Sequence, residues 1–309
     1  MSTVEPPSRA VASVAITGAT GLIGRALVRL LASSGRRAIR IVRRDPQPGD
    51  ILWDPARGLD PRQLGGVDAV VHLAGESIAG SRWSKAQRDR IMASRVAGTK
   101  AVVDAVLAAD AGPRILVCAS AVGYYGDRGD VLVDEDSRRG EGFLPDVVTA
   151  WEEAAAPARS AGARVAHSRL GVVLSPAGGM LGRILPIFRL GLGGRLGTGR
   201  QWFSWVAIDD CVRALAHLLY TEVEGPFNVT SPFQVTNAEL TTTLGRVLHR
   251  PTLLPVPAFV LRLAFGGLAD EGLLASTRVA PTRLIRSGFE FRFPTLQGAL
   301  EHLLGRSAR

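Results

Sequence analysis

Three glycines, Gly18, Gly21 and Gly24, stand at Gly-x-x-Gly-x-x-Gly spacing between a short apolar, β-branched run and a helix-patterned segment. A chain without side chains at those places turns tightly, brings backbone amides against a pyrophosphate and packs the following helix closely on a sheet. The helix dipole then favours the anion. The chemistry predicted is dinucleotide binding. At the end of the next strand-like run stand Arg43 and Arg44. An acidic residue there would bind the ribose hydroxyls of NAD, whereas two guanidinium forks suit the oxygens of a ribose 2′-phosphate. NADP(H) is therefore expected over NAD(H).

The elements that must hold these residues follow from periodicity. Residues 11–17 read as a strand, and helix-spaced Ala26, Leu27, Leu30 and Leu31 follow the glycine turn; Gly35 closes the helix and 38–42 reads as a second strand. Buried strands are expected at 67–74, 114–120 and 164–174, with helices at 86–109 and 151–161. Alternation of this kind predicts an α/β chain, a Rossmann-type, doubly wound parallel sheet with helices on both faces. Between Gly178 and Gly199 glycines crowd together, predicting a mobile or ligand-contacting loop. Beyond it a helix at 209–220, a strand at 225–230, a helix capped by Thr236 and Asn237, and a proline-punctuated tail predict a smaller, mostly helical lobe. The resulting division is a disordered tail at 1–10, a dinucleotide-binding domain at 11–175 and the small substrate lobe at 176–309.

Composition excludes several classes. With 309 residues, 46% hydrophobic and 21% charged, the chain can bury a full core. The net charge is +9, but nearly all of the cations are arginines, only Lys85 and Lys100 being lysine, and they are scattered. No nucleic-acid stripe is formed and no nucleic-acid partner is expected. No apolar run approaches the roughly 18 residues of a membrane span and the first residues form no signal core, so neither a membrane partner nor export is expected and the cytoplasm is the expected location. Cys118 and Cys211 are expected to be free thiols. The histidines are too dispersed for a metal site.

Several motifs carry a resemblance: Thr17-Gly-Ala-Thr-Gly-Leu-Ile-Gly24, Leu73-Ala-Gly-Glu-Ser77, Arg95-Val-Ala-Gly-Thr99, Gly123-Tyr-Tyr-Gly126, Ala150-Trp-Glu152, Arg169-Leu-Gly-Val-Val-Leu174, Gly197-Thr-Gly-Arg-Gln-Trp202 and Pro255-Val-Pro257. Together they resemble the extended, atypical short-chain dehydrogenase/reductases, and within them the epimerase-like subfamily of sugar-nucleotide epimerase relatives with its own C-terminal domain, here about residues 250–305. The resemblance implies that Gly18, Ala19, Thr20, Gly21, Leu22, Ile23 and Gly24 receive the pyrophosphate, that Arg43 and Arg44 meet the adenosine end, and that Leu73, Ala74 and Gly75 border the cofactor. Arg95 stands where many relatives keep Asn, either reaching a cofactor oxygen or lying solvated on its helix. Glu76, Arg200, Gln201 and Trp202 are the implied substrate contacts, Arg200 for a phosphate or carboxylate and Trp202 for stacking on a ring.

Catalytic members of the superfamily use Tyr-x-x-x-Lys on one helix face to exchange a proton with the substrate hydroxyl. This chain cannot supply it: Arg128, Gly129 and Glu224 stand four residues after its three tyrosines, Tyr124, Tyr125 and Tyr220. Ser120, at the end of the strand that delivers a catalytic hydroxyl in relatives, is the first substitute; Tyr124, Tyr125 and a buried Glu152 are the others. Two readings follow. One is an NADP(H)-dependent epimerase-like oxidoreductase acting on a small metabolite of the nucleotide-sugar kind, with an atypical proton donor and with room for a homodimer. The other is a non-catalytic NADP(H)-binding sensor or scaffold.

Overall fold

The computed structural model describes residues 11–54, 57–80 and 82–305. The tail expected to be disordered, 1–10, lies outside the described residues. The first half alternates strand and helix: β1 (Ser13–Thr17), α1 (Leu22–Ser33), β2 (Arg37–Val42), β3 (Ile51–Leu52), β4 (Ala69–His72), α2 (Lys85–Ala108), β5 (Ile115–Ala121), β6 (Leu132–Val133), α3 (Phe143–Glu153), α4 (Ala156–Ser160) and β7 (Arg164–Leu170). The second half adds β8 (Val172–Leu174), α5 (Gly179–Arg189), β9 (Trp202–Phe203), β10 (Trp205–Ala207), α6 (Ile208–Tyr220), β11 (Gly225–Val229), β12 (Val235–Thr236), α7 (Asn237–Leu248), α8 (Ala258–Phe265), β13 (Arg278–Val279), α9 (Thr282–Arg286) and α10 (Leu296–Leu303).

Seven strands form one parallel sheet in the order β11-β7-β5-β4-β1-β2-β3. Strand residues alternate between two cores. Val14, Ile16, Val71 and Val117 pack with Leu27 of α1 and Leu215 of α6 on one face; Ala15, Val70 and Leu116 pack with Val102 and Val106 of α2 on the other. Burial on both faces explains why the strands read as continuous apolar runs. The order turns back beside β1, so the loop after β1 opens at the switch point where such sheets bind ligands.

Three details differ from the sequence reading. The glycine-rich stretch is not loop throughout: α5 occupies 179–189 because Leu181, Leu185 and Phe188 recur at helical spacing and enter a core with Trp205 and Leu244. The helix expected at 151–161 starts at Phe143 and is interrupted at residues 154–155; Ala155 at the break and Ala158 of α4 enter the sheet core. After the boundary drawn at 175 the chain also returns to the sheet, through α6 and β11. The remaining small lobe carries α5, α7, α8 and α10 with two-stranded pieces such as β9–β12. Both cysteines are buried and free.

Candidate functional site

The glycine loop is closed to side chains by its own packing. Gly18 sits at φ +65°, and a Cβ on it would stand 2.9 Å from the Leu73 carbonyl carbon; a Cβ on Gly24 would stand 2.2 Å from the Gly18 oxygen. Gly21 caps α1 without any side-chain hydrogen bond, leaving the first-turn amides of Leu22, Ile23 and Gly24 without a capping side chain. Thr20 and Gly21 are exposed, and buried Ala19 backs the turn. An anion fits this helix end by both amide direction and dipole.

Thr17 ties the neighbouring loop to the cradle. Its hydroxyl accepts from the amides of Leu73 (3.1 Å) and Ala74 (3.2 Å) and lies 2.7 Å from His72 Nδ1. With both acceptor positions used, the hydroxyl donates to Nδ1, which puts the ring proton on Nε2. His72 is fully buried, its Nε2 has no partner among the described residues, and burial pushes its pKa down to about 4. Gly75 and Glu76 continue as exposed backbone. Arg95 is not a solvated helix residue: its Nη1 donates to the Glu76 and Ile91 carbonyls, the guanidinium lies 4.9 Å from the Trp151 ring, and desolvation lowers it to about 10. It supports the Gly75–Glu76 loop from below. Past β2, Arg43 and Arg44 are exposed and make no ion pair or hydrogen bond among the described residues, whereas nearby Arg40 is held by Asp50. Two unpaired guanidinium groups thus stand at the end of the strand that pairs with β1.

A second cluster lies across the same edge of the sheet. Register places Ser120 beside Arg169, and Arg169 beside Asn228, on adjacent strands β5, β7 and β11. Glu152 reaches this row from α3. Ser120 Oγ donates to Glu152 Oε1 at 2.6 Å, and Arg169 grips the same carboxylate with Nε and Nη2, both at 2.8 Å. Arg169 Nη1 donates to the Tyr125 hydroxyl (3.1 Å), which donates to Asn228 Oδ1 (2.8 Å). The Arg169 guanidinium also lies 3.5 Å from the centre of the Tyr124 ring. Three candidates, Tyr124, Tyr125 and Glu152, thus meet on one arginine, and Ser120 joins them through Glu152.

Their electrostatic states differ. Burial pushes the Glu152 carboxyl up, but hydrogen bonds and charge from Arg169, with help from Ser120, more than offset it and hold the group below the usual carboxylate range. Burial works against Arg169 too, and Glu152 overcomes it, so the pair stays charged. Tyr125 is fully enclosed and its phenol is pushed up to about 12, chiefly by burial. Ser120 is only 2% exposed, whereas Tyr124 is half-buried and its hydroxyl has no partner among the described residues. Asn228 is absent from the residues singled out in the sequence, and Arg169 stands there only as the first residue of the motif that ends at Leu174, with no role in the site. The available signal was an arginine in the middle of a buried apolar strand, a position that demands a partner.

The small lobe separates its three candidates. Arg200 is exposed at a cavity of about 410 Å³ shared with Asp127, Asp130, Thr198 and Ser276. Gln201 is buried, its amide donating to the Leu196 and Leu273 carbonyls, so it braces the loop. Trp202 donates from Nε1 to Asp130, and its ring lies 4.2 Å from the Arg278 guanidinium. Asp210 is buried and accepts from the amides of Arg292 and Phe293, fastening the C-terminal segment to α6.

A model of the NAD-dependent epimerase/dehydratase family matches residues 14–230, and a domain of unknown function, DUF1731, matches 256–303. The chain belongs to the NAD-dependent epimerase/dehydratase family. An epimerase family protein of Mycobacterium bovis is 48% identical over 298 residues, covering 96% of this chain and 98% of that protein. The crystal structure of human epimerase family protein SDR39U1 with NADPH superposes with a TM-score of 0.87 at 36% identity, covering 95% of this chain and 99% of that one. A nucleoside-diphosphate sugar epimerase from Corynebacterium glutamicum superposes at 0.80 with 38% identity, over 95% of this chain and 58% of that one. The extended short-chain dehydrogenase/reductase character and the Rossmann-type sheet read from the motifs are therefore those of this epimerase-like family. Among the described residues no helix is long and apolar enough to cross a membrane.

Proposed function

We propose that this epimerase-family protein is an NADP(H)-dependent oxidoreductase acting at a carbinol or carbonyl carbon of a small metabolite of the nucleotide-sugar class, without a Tyr-x-x-x-Lys dyad. When bound, the dinucleotide supplies the hydride carrier. The amides of Leu22, Ile23 and Gly24 bind its pyrophosphate, Arg43 and Arg44 grip the 2′-phosphate, and Leu73 to Gly75 border it. The observation that carries the enzymatic reading is the convergence of Glu152 and the Tyr124 ring on Arg169, with Ser120 bonded to the same carboxylate. Of these groups, Tyr124 is half-buried with a hydroxyl that has no partner among the described residues, and its Oη exchanges the proton with the substrate oxygen. Glu152 stays ionised and orients Arg169, whose fixed charge beneath the ring stabilises negative charge developing on that oxygen. Ser120 holds Glu152 in place.

The alternative, a non-catalytic NADP(H) sensor, draws support from the enclosure of Ser120 and Tyr125, which removes two of three candidate hydroxyls from a ligand's reach. One set of measurements decides. Calorimetric titration should give tighter binding of NADPH than NADH, and Arg43→Ala/Arg44→Ala should bring the two within about threefold of each other. Oxidation of NADPH against a panel of nucleotide-linked ketosugars should fall at least a hundredfold in Tyr124→Phe with unchanged NADPH affinity. Equal cofactor affinities in the native protein refute the phosphate assignment; turnover unaffected by Tyr124→Phe refutes the proton assignment. A crystal of the NADPH complex with the nicotinamide against apolar side chains alone establishes the sensor.

A further inference from the structure

Helix α8 is apolar almost all round, yet only Leu261 of its eight residues is buried. Phe259 and Leu263, one turn apart, are 69% and 73% exposed. A helix of that composition ordinarily lies inside a protein or against lipid. The apolar surface continues beyond it. Leu254 bonds to the Gly193 carbonyl, and residues 195–197 run beside Val256, so 190–197 and 251–257 lie together just before α8. Leu190 and Leu253 project from this ridge at 75% and 80% exposure. Exposed apolar side chains gathered on α8 and on the paired stretches that lead into it are of the kind that marks an interaction surface, unlike scattered single exposed residues.

The two chain stretches that build the ridge carry cations without carboxylates, the acids beside them being Asp270 just after α8 and Asp127 and Asp130 at the cavity that Ala258 lines. No Asp or Glu occurs between Glu153 and Asp209, nor between Glu239 and Asp270, and these two stretches build the ridge. Arg189, Arg195 and Arg250 are exposed along it. Arg189 and Arg195 make no ion pair among the described residues, and the Arg250 guanidinium donates only to the carbonyls of Arg189 and His249. Arg262 alone is neutralised, by Asp270 at 2.8 Å. A second copy of the chain meeting this face across a two-fold axis would set arginines against arginines.

We propose that this ridge seats on an anionic lipid surface, with Phe259, Leu263, Leu253 and Leu190 entering the headgroup boundary and Arg189, Arg195 and Arg250 contacting lipid phosphates. Side chains that project, rather than line a groove, suit a deformable lipid phase better than a preformed protein pocket, and arginines flanking them complement its charge. The absence of a spanning segment bears on crossing a bilayer and leaves a surface contact open. The inference is independent of the cofactor site.

The test is co-sedimentation of the full chain with vesicles of phosphatidylcholine alone and of phosphatidylcholine with roughly one-third phosphatidylglycerol. Binding is expected to the anionic vesicles only, weakening with added salt. Phe259→Ser/Leu263→Ser and Arg189→Glu/Arg195→Glu/Arg250→Glu should each lower the partition coefficient at least tenfold while NADPH affinity and circular dichroism stay native. Arg37→Glu/Arg114→Glu/Arg286→Glu, the same charge change away from the ridge, should lower it less than threefold. Failure to sediment with anionic vesicles overturns the proposal, as does equal loss in the two charge-reversal triples. Dissociation of a dimer by Phe259→Ser/Leu263→Ser with vesicle binding unchanged assigns the face to a second copy instead. Salt-sensitive binding to poly-glutamate without lipid binding assigns it to an acidic protein.

Discussion

The cofactor cradle and the Arg169 cluster occupy the same C-terminal edge of one sheet, two strands apart, and handle buried polarity in opposite ways. Beside the cradle, polarity is neutral: Thr17 donates to an unprotonated Nδ1 of His72, and the binding surface is backbone left bare by glycine. At the cluster, polarity is ionic: a carboxylate and a guanidinium pair face to face, with hydroxyls filling their remaining positions. A neutral, uncapped helix end can accept an incoming anion without losing an internal partner. The ion pair has its partners already and holds its geometry before any ligand arrives. The first region is built to receive charge and the second to present it.

Removing one side of the ion pair tests this contrast most severely. Arg169→Leu strands the Glu152 carboxylate in a mostly buried site, which should cost on the order of 3–5 kcal/mol of unfolding free energy in denaturant titration. Arg169→Leu/Glu152→Leu should recover most of that loss, because matched apolar groups need no charge compensation. If the double variant is no more stable than the single one, the pair is not the isolated charge couple described. NADPH affinity should change little in the double variant, since the cradle does not depend on that charge.

The two regions were also unequally legible. The cradle is compressed into seven consecutive residues whose spacing carries its own geometric reason, so Gly18 to Gly24 could be read directly. Arg43 and Arg44 could be singled out because they stand together at the end of the second strand, where the structure leaves both exposed. The cluster is spread over Ser120, Tyr125, Glu152, Arg169 and Asn228, which parallel pairing alone brings into one row. Nothing local in the sequence connects Ser120 to Arg169. Helix α5 was missed because glycines at 178, 179 and 182 outweighed the apolar repeat of Leu181, Leu185 and Phe188, which tertiary burial then decided. Gln201 was read as a substrate contact from its place after a glycine loop, and its amide in fact serves two backbone carbonyls.

Acid should separate the regions. His72 is lowered to about 4 when folded, against about 6.5 unfolded, so between those values the unfolded chain binds the extra proton. Its contribution is complete above pH 6.5 and is lost as pH falls, by about 2 kcal/mol between pH 7.5 and 5. His72→Gln should flatten that part of the stability profile. Glu152, depressed by Arg169, contributes its stability above the unfolded carboxylate value and loses it only as pH falls below that, whereas His167 beside the cluster is lowered by burial as His72 is, so the His72→Gln comparison is what isolates the cradle's share. A native profile flat from pH 7.5 to 5 would contradict the neutral assignment of His72.

The smallest expected effect distinguishes two adjacent phenols. Tyr125→Phe deletes a hydroxyl that accepts from Arg169 and donates to Asn228 inside the protein, leaving the Asn228 oxygen and one guanidinium N–H with fewer partners. That should cost about 1–2 kcal/mol by thermal or chemical denaturation. Tyr124→Phe removes a hydroxyl without a partner among the described residues and keeps the ring on Arg169, so stability should stay within about 0.5 kcal/mol of native. Neighbouring tyrosines thus divide: Tyr125 is bonded to the guanidinium, whereas the Tyr124 hydroxyl has no partner among the described residues, as the proposed proton exchange requires. Equal destabilisation by the two substitutions would erase that division and, with it, the case for Tyr124 as the phenol that works.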